Sequence, residues 1–325
     1  MDKRVILIGD INIDLALKGV KDLSNIKMGA ELEINEYNLN IGGSGFNFIK
    51  ILSSFGVKVD LYGKVGADIF GQSVKKYLRK EKINNSLITD PEIKTGIATI
   101  VPIKNNRFFL TYNGGNEHLN INDLDFKKIL QFQHVHLSSY YLLKSLQPDY
   151  LTLLKTIKSN RNITISFDTG FDPSENWQSK KIFKILRYID IFLPNEIEAL
   201  SITKSKNIEN AINILSEYCP IVVVKLGSKG LAAKYKRNIK DEVVYLKPYD
   251  VEVVDTACCG DSCNAGFIYG FLKDYSFENS LDLANGCGSL QASKLGSYKF
   301  SGFEEVINFM KFTQKVKSQK GKFNE

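Results

Sequence analysis

The residues best suited to chemistry lie in one segment, VVDTACCGDSCNAGF at positions 253–267. We expect an apolar strand ending near Val254, then small residues, then an apolar helix beginning near Ser262. The first N–H groups of a helix have no carbonyl partner within it, so they can bind an anion such as phosphate. Asp261 stands at the predicted helix start, where a carboxylate can take a proton from a hydroxyl group. The segment alone is equally compatible with Asp261 as a simple N-cap.

Polar side chains also follow the first predicted strand. GDINID at 9–14 comes directly after it, and IGGSGFN at 41–47 leads into a predicted helix. Paired glycines allow a ligand to approach the backbone, and Asn47 offers both a donor and an acceptor. The structural alternatives are an exposed turn for the first motif and an ordinary glycine-rich helix entry for the second.

Three further motifs lie in the second half of the chain: NEIEAL at 195–200, VVVKLGSKG at 222–230 and NGCGSLQASKLGSY at 285–298. The first motif places two carboxylates at the start of a predicted helix. Glu196 and Glu198 can equally serve the dipole of a helix that starts there. The second motif can equally be a plain glycine hairpin.

Short apolar runs alternate with amphipathic segments along almost the whole chain, which predicts an α/β fold with a mostly parallel sheet and helices on both faces. The predicted strands are 4–9, 57–62, 133–138, 163–167, 189–193 and 220–226. The predicted helices include 44–55, 70–82, 149–159, 178–187, 196–202 and 207–218.

Two segments break this rhythm with alternating apolar and polar residues, which predicts half-buried antiparallel strands. We expect them to form a small β lid from 13–41 and 95–112, with 1–12, 42–94 and 113–325 as the large domain. A lid of this kind can close over bound substrate, and its exposed face can pair two subunits.

Composition excludes several classes of protein. The 325 residues contain 43% hydrophobic residues and no apolar run of the length that crosses a bilayer. The charge of +7 is spread along the chain without a basic block interleaved with aromatics, which argues against nucleic acid binding. Five cysteines without paired CxxC spacing argue against a disulfide framework and a zinc site. A first strand broken by aspartates is no signal peptide, so we expect a cytoplasmic protein.

DTACCGD followed by NAG closely resembles the DTxGAGD signature of the ribokinase-like, or PfkB, carbohydrate kinases. The resemblance implies that Asp261 is the catalytic base and that the backbone of Ala257, Cys258, Cys259 and Gly260 forms an anion hole for the γ-phosphate of ATP. It also places a monovalent cation such as K⁺ near Asp255 in many members.

The other motifs resemble family elements in the family's order, from residue 9 to about 297. The resemblance implies that Glu198 acts on Mg²⁺ through water, that the sugar is bound near the first motifs and that the nucleotide is bound by the later ones. The implied sugar contacts are Asn12, Asp14, Gly42, Gly43, Asn47 and, in a lid-return loop, Asn116. The implied nucleotide contacts are Asn195, Lys225, Gly227, Gly230 and Asn285.

Two departures from the family pattern bear on function. Cys258 stands where glycine is usual, and its Cβ would resist a positive φ, so we expect the local turn to differ. DTGFDPSENW at 168–177 resembles a stretch in which sugar-acid kinases carry an arginine, but Asp172 replaces it. Loss of that cation favours an uncharged substrate over a sugar acid or sugar phosphate.

The resemblance therefore implies an ATP- and Mg²⁺-dependent sugar kinase, expected to be a homodimer through the lid. Two alternatives stay open: a nucleoside kinase of the same fold, and a catalytically weak sugar or nucleotide sensor. An NAD-dependent oxidoreductase is disfavoured because GDINID stands where a GxGxxG would follow the first strand.

Overall fold

The computed structural model describes residues 3–19, 29, 31–103, 106–236 and 242–316. Parts of the predicted lid, at 20–28, 30 and 104–105, lie outside the described residues. The chain divides into two compact units: unit 1 is Met1–Ile49 with Lys58–Asp190, and unit 2 is Lys50–Val57 with Ile191–Glu325.

The described residues form the α/β arrangement that the sequence predicts. The strands are β1 (Val5–Ile8), β2 (Asn12–Lys18), β3 (Glu36–Gly42), β4 (Val59–Gly66), β5 (Asn84–Asp90), β6 (Gly96–Ile103), β7 (Asn106–Tyr112), β8 (His134–Leu137), β9 (Thr164–Phe167), β10 (Ile191–Phe192), β11 (Ile221–Lys225), β12 (Leu231–Tyr235) and β13 (Val244–Leu246). The helices are α1 (Ser44–Ser54), α2 (Ile69–Lys80), α3 (Gly115–His118), α4 (Phe126–Ile129), α5 (Tyr150–Lys158), α6 (Ser179–Leu186), α7 (Glu196–Thr203), α8 (Ile208–Ser216), α9 (Cys259–Leu272), α10 (Phe277–Ala292) and α11 (Phe303–Phe312).

The main sheet of unit 1 consists of parallel strands in the order β9-β8-β1-β4-β5. All four residues of β1 are fully buried, as expected for a parallel strand covered on both faces. In this arrangement β1 and β8 end at the same edge, so the polar residues that follow them come together there.

Unit 1 also contains a small sheet in the order β3-β2-β6-β7. The predicted antiparallel pairing is confirmed for β2 with β3 and for β6 with β7. β2 and β6, which join the two segments, run parallel. Each of these two strands follows a strand of the parallel main sheet, β1 or β5, and each pairs antiparallel with the strand that comes next in the chain.

Side chains alternate between the two faces of this small sheet, and residues in register share a face. Asp14 is in register with Asn40 on one side and Ala98 on the other. The next residue of β2, Leu15, is in register with Leu39 and Thr99, and Thr99 is in register with Leu110. One face therefore carries Asn12 and Asp14, and the opposite face is apolar.

Unit 2 has the strand order β13-β12-β11-β10, in which β10 and β11 are parallel and the other pairs antiparallel. Its helices α9 and α10 pack closely because glycines face the partner helix. A Cβ at Gly266 would lie 2.9 Å from the Cα of Ala284, and one at Gly270 would lie 2.9 Å from the Cα of Ser280. The NAG element thus has a packing reason for its glycine.

The strand predicted to end near Val254 is wrong, since residues 251–254 form no strand. Val253 and Val254 are more than half exposed, so their apolar character does not reflect burial in a sheet. Within the described ranges, no helix has both the length and the apolar content needed to cross a membrane.

Candidate active site

The N-terminus of α9 differs in detail from the sequence prediction. The helix begins at Cys259 rather than near Ser262, and Cys258 is its N-cap residue. Asp261 is the third helical residue, so its interpretation as the N-cap is wrong. Cys258 has φ 59° and ψ 5°, in the left-handed region. The turn therefore keeps a positive φ despite the cysteine, at a cost of about 1–2 kcal/mol.

Asp255 organises the approach to this helix. One carboxylate oxygen accepts the N–H of Ala257 at 2.8 Å, and the other accepts the N–H of Gly296 at 3.0 Å. The Ala257 N–H is thus already bound by Asp255. The N–H groups left for the predicted anion hole are those of Cys258, Cys259 and Gly260. At Gly260 the nearest neighbours of a built Cβ belong to Lys225, whose Nζ would lie 3.7 Å away.

Lys225 brings a positive charge to the first turn of α9. It ends β11, its N–H donates to the carbonyl of Pro194 at 2.9 Å, and its Nζ donates to Asn264 Oδ1 at 3.1 Å. Asn264 lies three residues after Asp261, which puts both on one face of the helix. Sequence reasoning missed Asn264, although this helical spacing from Asp261 could have identified it.

The pKa of the Cys263 thiol depends on burial and on the charges of Lys225 and Asp261. Burial raises the pKa of Cys263 to about 11, the Lys225 ammonium opposes the shift, and the Asp261 carboxylate adds to it. The thiol is therefore neutral at neutral pH, and it lies within electrostatic reach of both charged groups. We assign it a packing role, consistent with its sulfur facing Gly288, where a Cβ would lie 2.3 Å away.

Asn195 and Glu198 form a capping box at the start of α7. Glu198 accepts the Asn195 backbone N–H at 2.9 Å and its Nδ2 at 2.7 Å, while Asn195 Oδ1 accepts the Glu198 N–H at 2.9 Å. Glu198 is only 3% exposed. This geometry supports the structural alternative, in which the glutamate serves the start of the helix. Among the described residues, no group of three or more His, Cys, Asp or Glu side chains could hold a metal ion.

The remaining predicted nucleotide contacts have distinct surroundings. Gly227 has φ 60° and faces open space, as a ligand-facing turn requires. Gly230 has φ 91°, and a Cβ there would lie 2.0 Å from the carbonyl oxygen of Leu246, so the packing of β13 demands glycine. Asn285 is buried in α10 and donates its Nδ2 to the carbonyl of Lys247 at 2.6 Å.

Most of the predicted sugar contacts meet in unit 1. Asn12 Nδ2 donates to Asp14 Oδ1 at 2.7 Å. A Cβ at Gly42 would lie 2.0 Å from Asp14 Oδ2, and one at Gly43, with φ 99°, would lie 3.0 Å from Asn12 Oδ1. Both glycines are thus required by close approach to these polar side chains.

Asn116 belongs to this polar cluster, and Asn47 follows Gly43 in α1. Asn116 is 2% exposed, and its Oδ1 accepts the N–H of Ile11 at 3.0 Å. A Cβ at Gly96 would lie 3.0 Å from Asn116 Nδ2 and 3.3 Å from the Cβ of Asn12. Asn47 is buried in α1, with its N–H on the carbonyl of Gly43 at 2.9 Å.

Asp10 is a residue that sequence reasoning missed. Its carboxylate accepts the N–H groups of Ser44 at 3.0 Å and Gly45 at 2.9 Å, at the start of α1, and the hydroxyl of Ser139 at 2.7 Å. It thereby ties α1 to the residues that follow β8. Its place directly after the first strand was the available signal.

The family model of the pfkB family carbohydrate kinases matches residues 2–301. An uncharacterized sugar kinase of Archaeoglobus fulgidus is 30% identical over 251 residues, which is 76% of this chain and 96% of that protein. The ATP-dependent ribose-1-phosphate kinase of Halopiger xanaduensis is 26% identical over 311 residues, 94% of this chain and 98% of that protein.

Among solved structures, a protein assigned as ribokinase II from E. coli, in complex with ATP and Mg²⁺, superposes with a TM-score of 0.82. It is 21% identical, and the match covers 95% of this chain and 99% of that one, which shows a shared fold. Together with the family match over nearly the whole sequence, these observations show that the chain belongs to the pfkB family of carbohydrate kinases, enzymes that transfer a phosphoryl group from ATP to a sugar.

Proposed function

We propose that this chain phosphorylates a hydroxyl group of an uncharged sugar with ATP and Mg²⁺, and that Asp261 is the general base. The observation that carries the proposal is the first turn of α9, which combines a carboxylate, a helix N-terminus and the Lys225 ammonium beside Gly260. Phosphoryl transfer depends mainly on positioning and on positive groups at the transferring phosphoryl, with a carboxylate to orient and deprotonate the acceptor.

Each group at α9 has a defined task in this proposal. Asp261 accepts the proton of the attacking hydroxyl. The Lys225 ammonium and the Gly260 N–H stabilise negative charge on the transferring phosphoryl group, with the backbone of Cys258 and Cys259 alongside. Mg²⁺, when bound to the phosphates, supplies further charge neutralisation. Glu198 would assist Mg²⁺ through a bound water.

The other predicted nucleotide contacts divide into two groups. Gly227 leaves room for the nucleotide, because its surroundings are open. Asn195, Gly230 and Asn285 act by shaping the segments that bind it, since each is committed to a contact within the protein. For Asn195, Gly230 and Asn285 we therefore propose an indirect role instead of the direct nucleotide contacts that the family resemblance implies.

The polar cluster of unit 1 supports an uncharged, hydroxyl-rich substrate. Asn12 and Asn116 offer amides, and Asp14 is a hydrogen-bond acceptor for hydroxyl groups. A phosphate or carboxylate on the substrate would be repelled by Asp14 and by the nearby carboxylate of Asp10. Asp172, which replaces the family arginine, is 3% exposed and accepts the N–H of Trp177 at 2.7 Å, so it organises its own loop.

The two alternative functions, a nucleoside kinase and a catalytically weak sensor, can be tested by measuring turnover. A nucleoside kinase would turn over a nucleoside faster than a free sugar, and a sensor would bind ligands without turnover. ADP formation is measured with a panel of ribose, fructose, a keto-sugar acid, adenosine, cytidine and ribose-1-phosphate. The last compound is included because the Halopiger relative is named for it. Fastest turnover of an anionic compound would contradict the uncharged-substrate proposal.

The base is tested with Asp261→Asn. Loss of a positioned base is expected to lower kcat by about a hundredfold or more, with a much smaller change in KM. Glu278→Gln is the matched control, because it also removes a carboxylate from the first turn of a helix, α10, but at an exposed position. An Asp261→Asn enzyme within about threefold of wild type would exclude Asp261 as the base.

We also propose that two copies pair through the apolar face of the small sheet. Tyr37, Leu39, Leu110 and Tyr112 on this face are 63%, 49%, 60% and 52% exposed. A contiguous apolar surface of this kind on a soluble enzyme usually marks an interface. The opposite face carries Asp14, so pairing would leave the polar side chains available for sugar.

The dimer is tested with Leu110→Asp, which places a charge on the apolar face, on the edge strand β7. Sedimentation equilibrium is expected to show a dimer for wild type and a monomer for Leu110→Asp. Ile69→Asp is the control, because Ile69 is 72% exposed at the start of α2 and away from this face. A wild-type monomer at micromolar concentration would contradict the proposal.

The expected location is the cytoplasm, where ATP is available and thiols stay reduced. The five cysteines are present as thiols.

A further inference from the structure

Lys50 in α1 is an almost fully buried lysine, 5% exposed. Its Nζ donates to the backbone carbonyl of Ser297 at 2.8 Å and to the hydroxyl of the same residue. Burying an ammonium group is costly unless oxygen atoms replace its water. Carbonyl and hydroxyl oxygens are also the atoms that hold a bound monovalent cation in a protein, so Ser297 presents a cation-binding pair to this charge.

The loop that contains Ser297 is held at its neighbouring residue as well. The Gly296 N–H donates to Asp255 Oδ2 at 3.0 Å, and the Gly296 carbonyl accepts Nε2 of the fully buried Gln291 at 2.6 Å. Gly296 itself has φ 64°, a conformation that a glycine adopts without strain. The Lys50 ammonium, the Gln291 amide and the Asp255 carboxylate therefore define the path of two consecutive residues.

This loop connects directly to the proposed phosphoryl-transfer site. Asp255, which binds Gly296 through one oxygen, binds the Ala257 N–H through the other. Ala257 is followed by Cys258, the N-cap of α9. A continuous set of contacts thus runs from Lys50 through Ser297, Gly296 and Asp255 to the turn that sets the start of α9.

We propose that Lys50 is a positioning residue whose ammonium serves as a built-in monovalent cation for the loop at 296–297. Both oxygens of Asp255 accept backbone N–H groups, so a tethered ammonium at Ser297 fits this arrangement better than a free cation bound by Asp255. The chain is therefore independent of added K⁺. The role assigned to Lys50 in ordering the start of α9 rests on the proposed kinase function. The claim that its ammonium takes the place of a cation rests on the contacts of Lys50 and Asp255.

The first test is thermal unfolding of the full chain in choline chloride, KCl or NH₄Cl at equal ionic strength. Wild type is expected to unfold at the same temperature in all three salts, within about 1 °C. Lys50→Met is expected to unfold earlier in choline and to regain about 3 °C or more in KCl or NH₄Cl, because a cation that binds the native state stabilises it by mass action.

Lys158→Met is the matched control. Lys158 also donates its Nζ to a backbone carbonyl, that of Ile163 at 3.0 Å, and it pairs with Asp190. Its loss is expected to lower the unfolding temperature equally in the three salts. Lys50→Gln separates charge from hydrogen bonding, because glutamine retains a donor without a charge, and it should show the same cation response as Lys50→Met.

Three outcomes would overturn the proposal: a wild type stabilised by K⁺ over choline, a Lys50→Met protein with equal stability in all salts, or a Lys50→Gln protein as stable as wild type with no cation response. If Lys50→Met does not fold in any salt, the Lys50→Gln result decides.

Turnover provides a second readout. With a substrate found by the panel, kcat of Lys50→Met is expected to fall at least tenfold in choline and to recover in NH₄Cl, while Asp261→Asn shows no recovery. Because unfolding does not require turnover, failure of the kinase proposal would leave the thermal result standing, and the reverse also holds.

Discussion

At the scale of single residues, Cys258 shows that the turn before α9 keeps its conformation although cysteine replaces the glycine usual in the family. The left-handed conformation, φ 59°, is the one that glycine adopts easily and that a side chain with a Cβ adopts at a cost. The surrounding contacts enforce it: the Cys258 carbonyl accepts both the N–H and the hydroxyl of Ser262, at 2.9 and 2.8 Å. The substituted residue is therefore held in the turn rather than reshaping it.

Replacing Cys258 tests this account. Cys258→Gly is expected to raise the free energy of unfolding by up to about 1 kcal/mol, since relief of strain slightly exceeds the entropy that glycine adds to the unfolded chain. Cys258→Val is expected to lower it by about 1–3 kcal/mol, because a β-branched side chain tolerates positive φ poorly. Urea unfolding measures both; a valine variant as stable as wild type would show that the turn is not left-handed.

At the scale of elements, helix starts position most of the polar site residues. Asp10 binds the first N–H groups of α1, Asn195 and Glu198 cap α7, and Asp255 holds the turn before α9. These carboxylates and amides satisfy N–H groups that no helical carbonyl can reach. The same property that makes a helix start bind a ligand thus explains why several candidate residues serve the protein itself.

The capping box of α7 gives a prediction at this scale. Asn195→Ala is expected to lower the free energy of unfolding by about 2–3 kcal/mol, because it removes the cap of α7 and takes the Asn195 side-chain amide, a donor, away from the buried Glu198 carboxylate. Asn207→Ala is the matched control: Asn207 caps α8 by accepting the Asn210 N–H at 2.9 Å at an exposed site, and its loss should cost about 1 kcal/mol. Equal costs in urea unfolding would contradict a buried coupling between Asn195 and Glu198.

At the scale of the whole molecule, stability depends on a histidine buried in the main sheet of unit 1. His134 is fully buried between Thr164, 2.8 Å from its Nδ1, and Ser166, 2.7 Å from its Nε2. Burial lowers the pKa of His134 well below its usual value, and the neighbouring His136 and Lys158 act in the same direction. The folded protein therefore keeps this imidazole neutral at pH values where the unfolded chain protonates it.

The sign of the pH effect follows from this difference. Between the lowered folded pKa and the unfolded value of about 6.5, the unfolded chain binds one more proton, so stability falls as pH falls below about 6.5. The slope contributed by His134 is up to about 1.4 kcal/mol per pH unit. Urea unfolding from pH 7.5 to 5 is expected to show this loss, and His134→Gln should show a shallower slope. An unchanged slope in the variant would exclude His134 as the group responsible.

The prediction from sequence succeeded where the signal is local. The α/β class, the main strands and the helix positions follow from the spacing of apolar residues within each segment, and the motif order identified the family. The prediction from sequence failed where pairing with a distant segment decides whether a strand forms. Residues 251–254 have the apolar character of a strand, but no strand of the described residues pairs with them. The parallel pairing of β2 with β6 depends on where two segments distant in sequence leave the main sheet.

The sequence by itself determined which side chains carry charge near the phosphoryl-transfer turn, since DTACCGD places Asp255 and Asp261 six residues apart in any fold. Only the tertiary structure decided what those groups bind. Asp255 reaches Gly296, 41 residues away, and Lys50 reaches Ser297, 247 residues away. Such contacts leave no local pattern, because their energy comes from burial and hydrogen-bond geometry that exist only once distant segments have packed together.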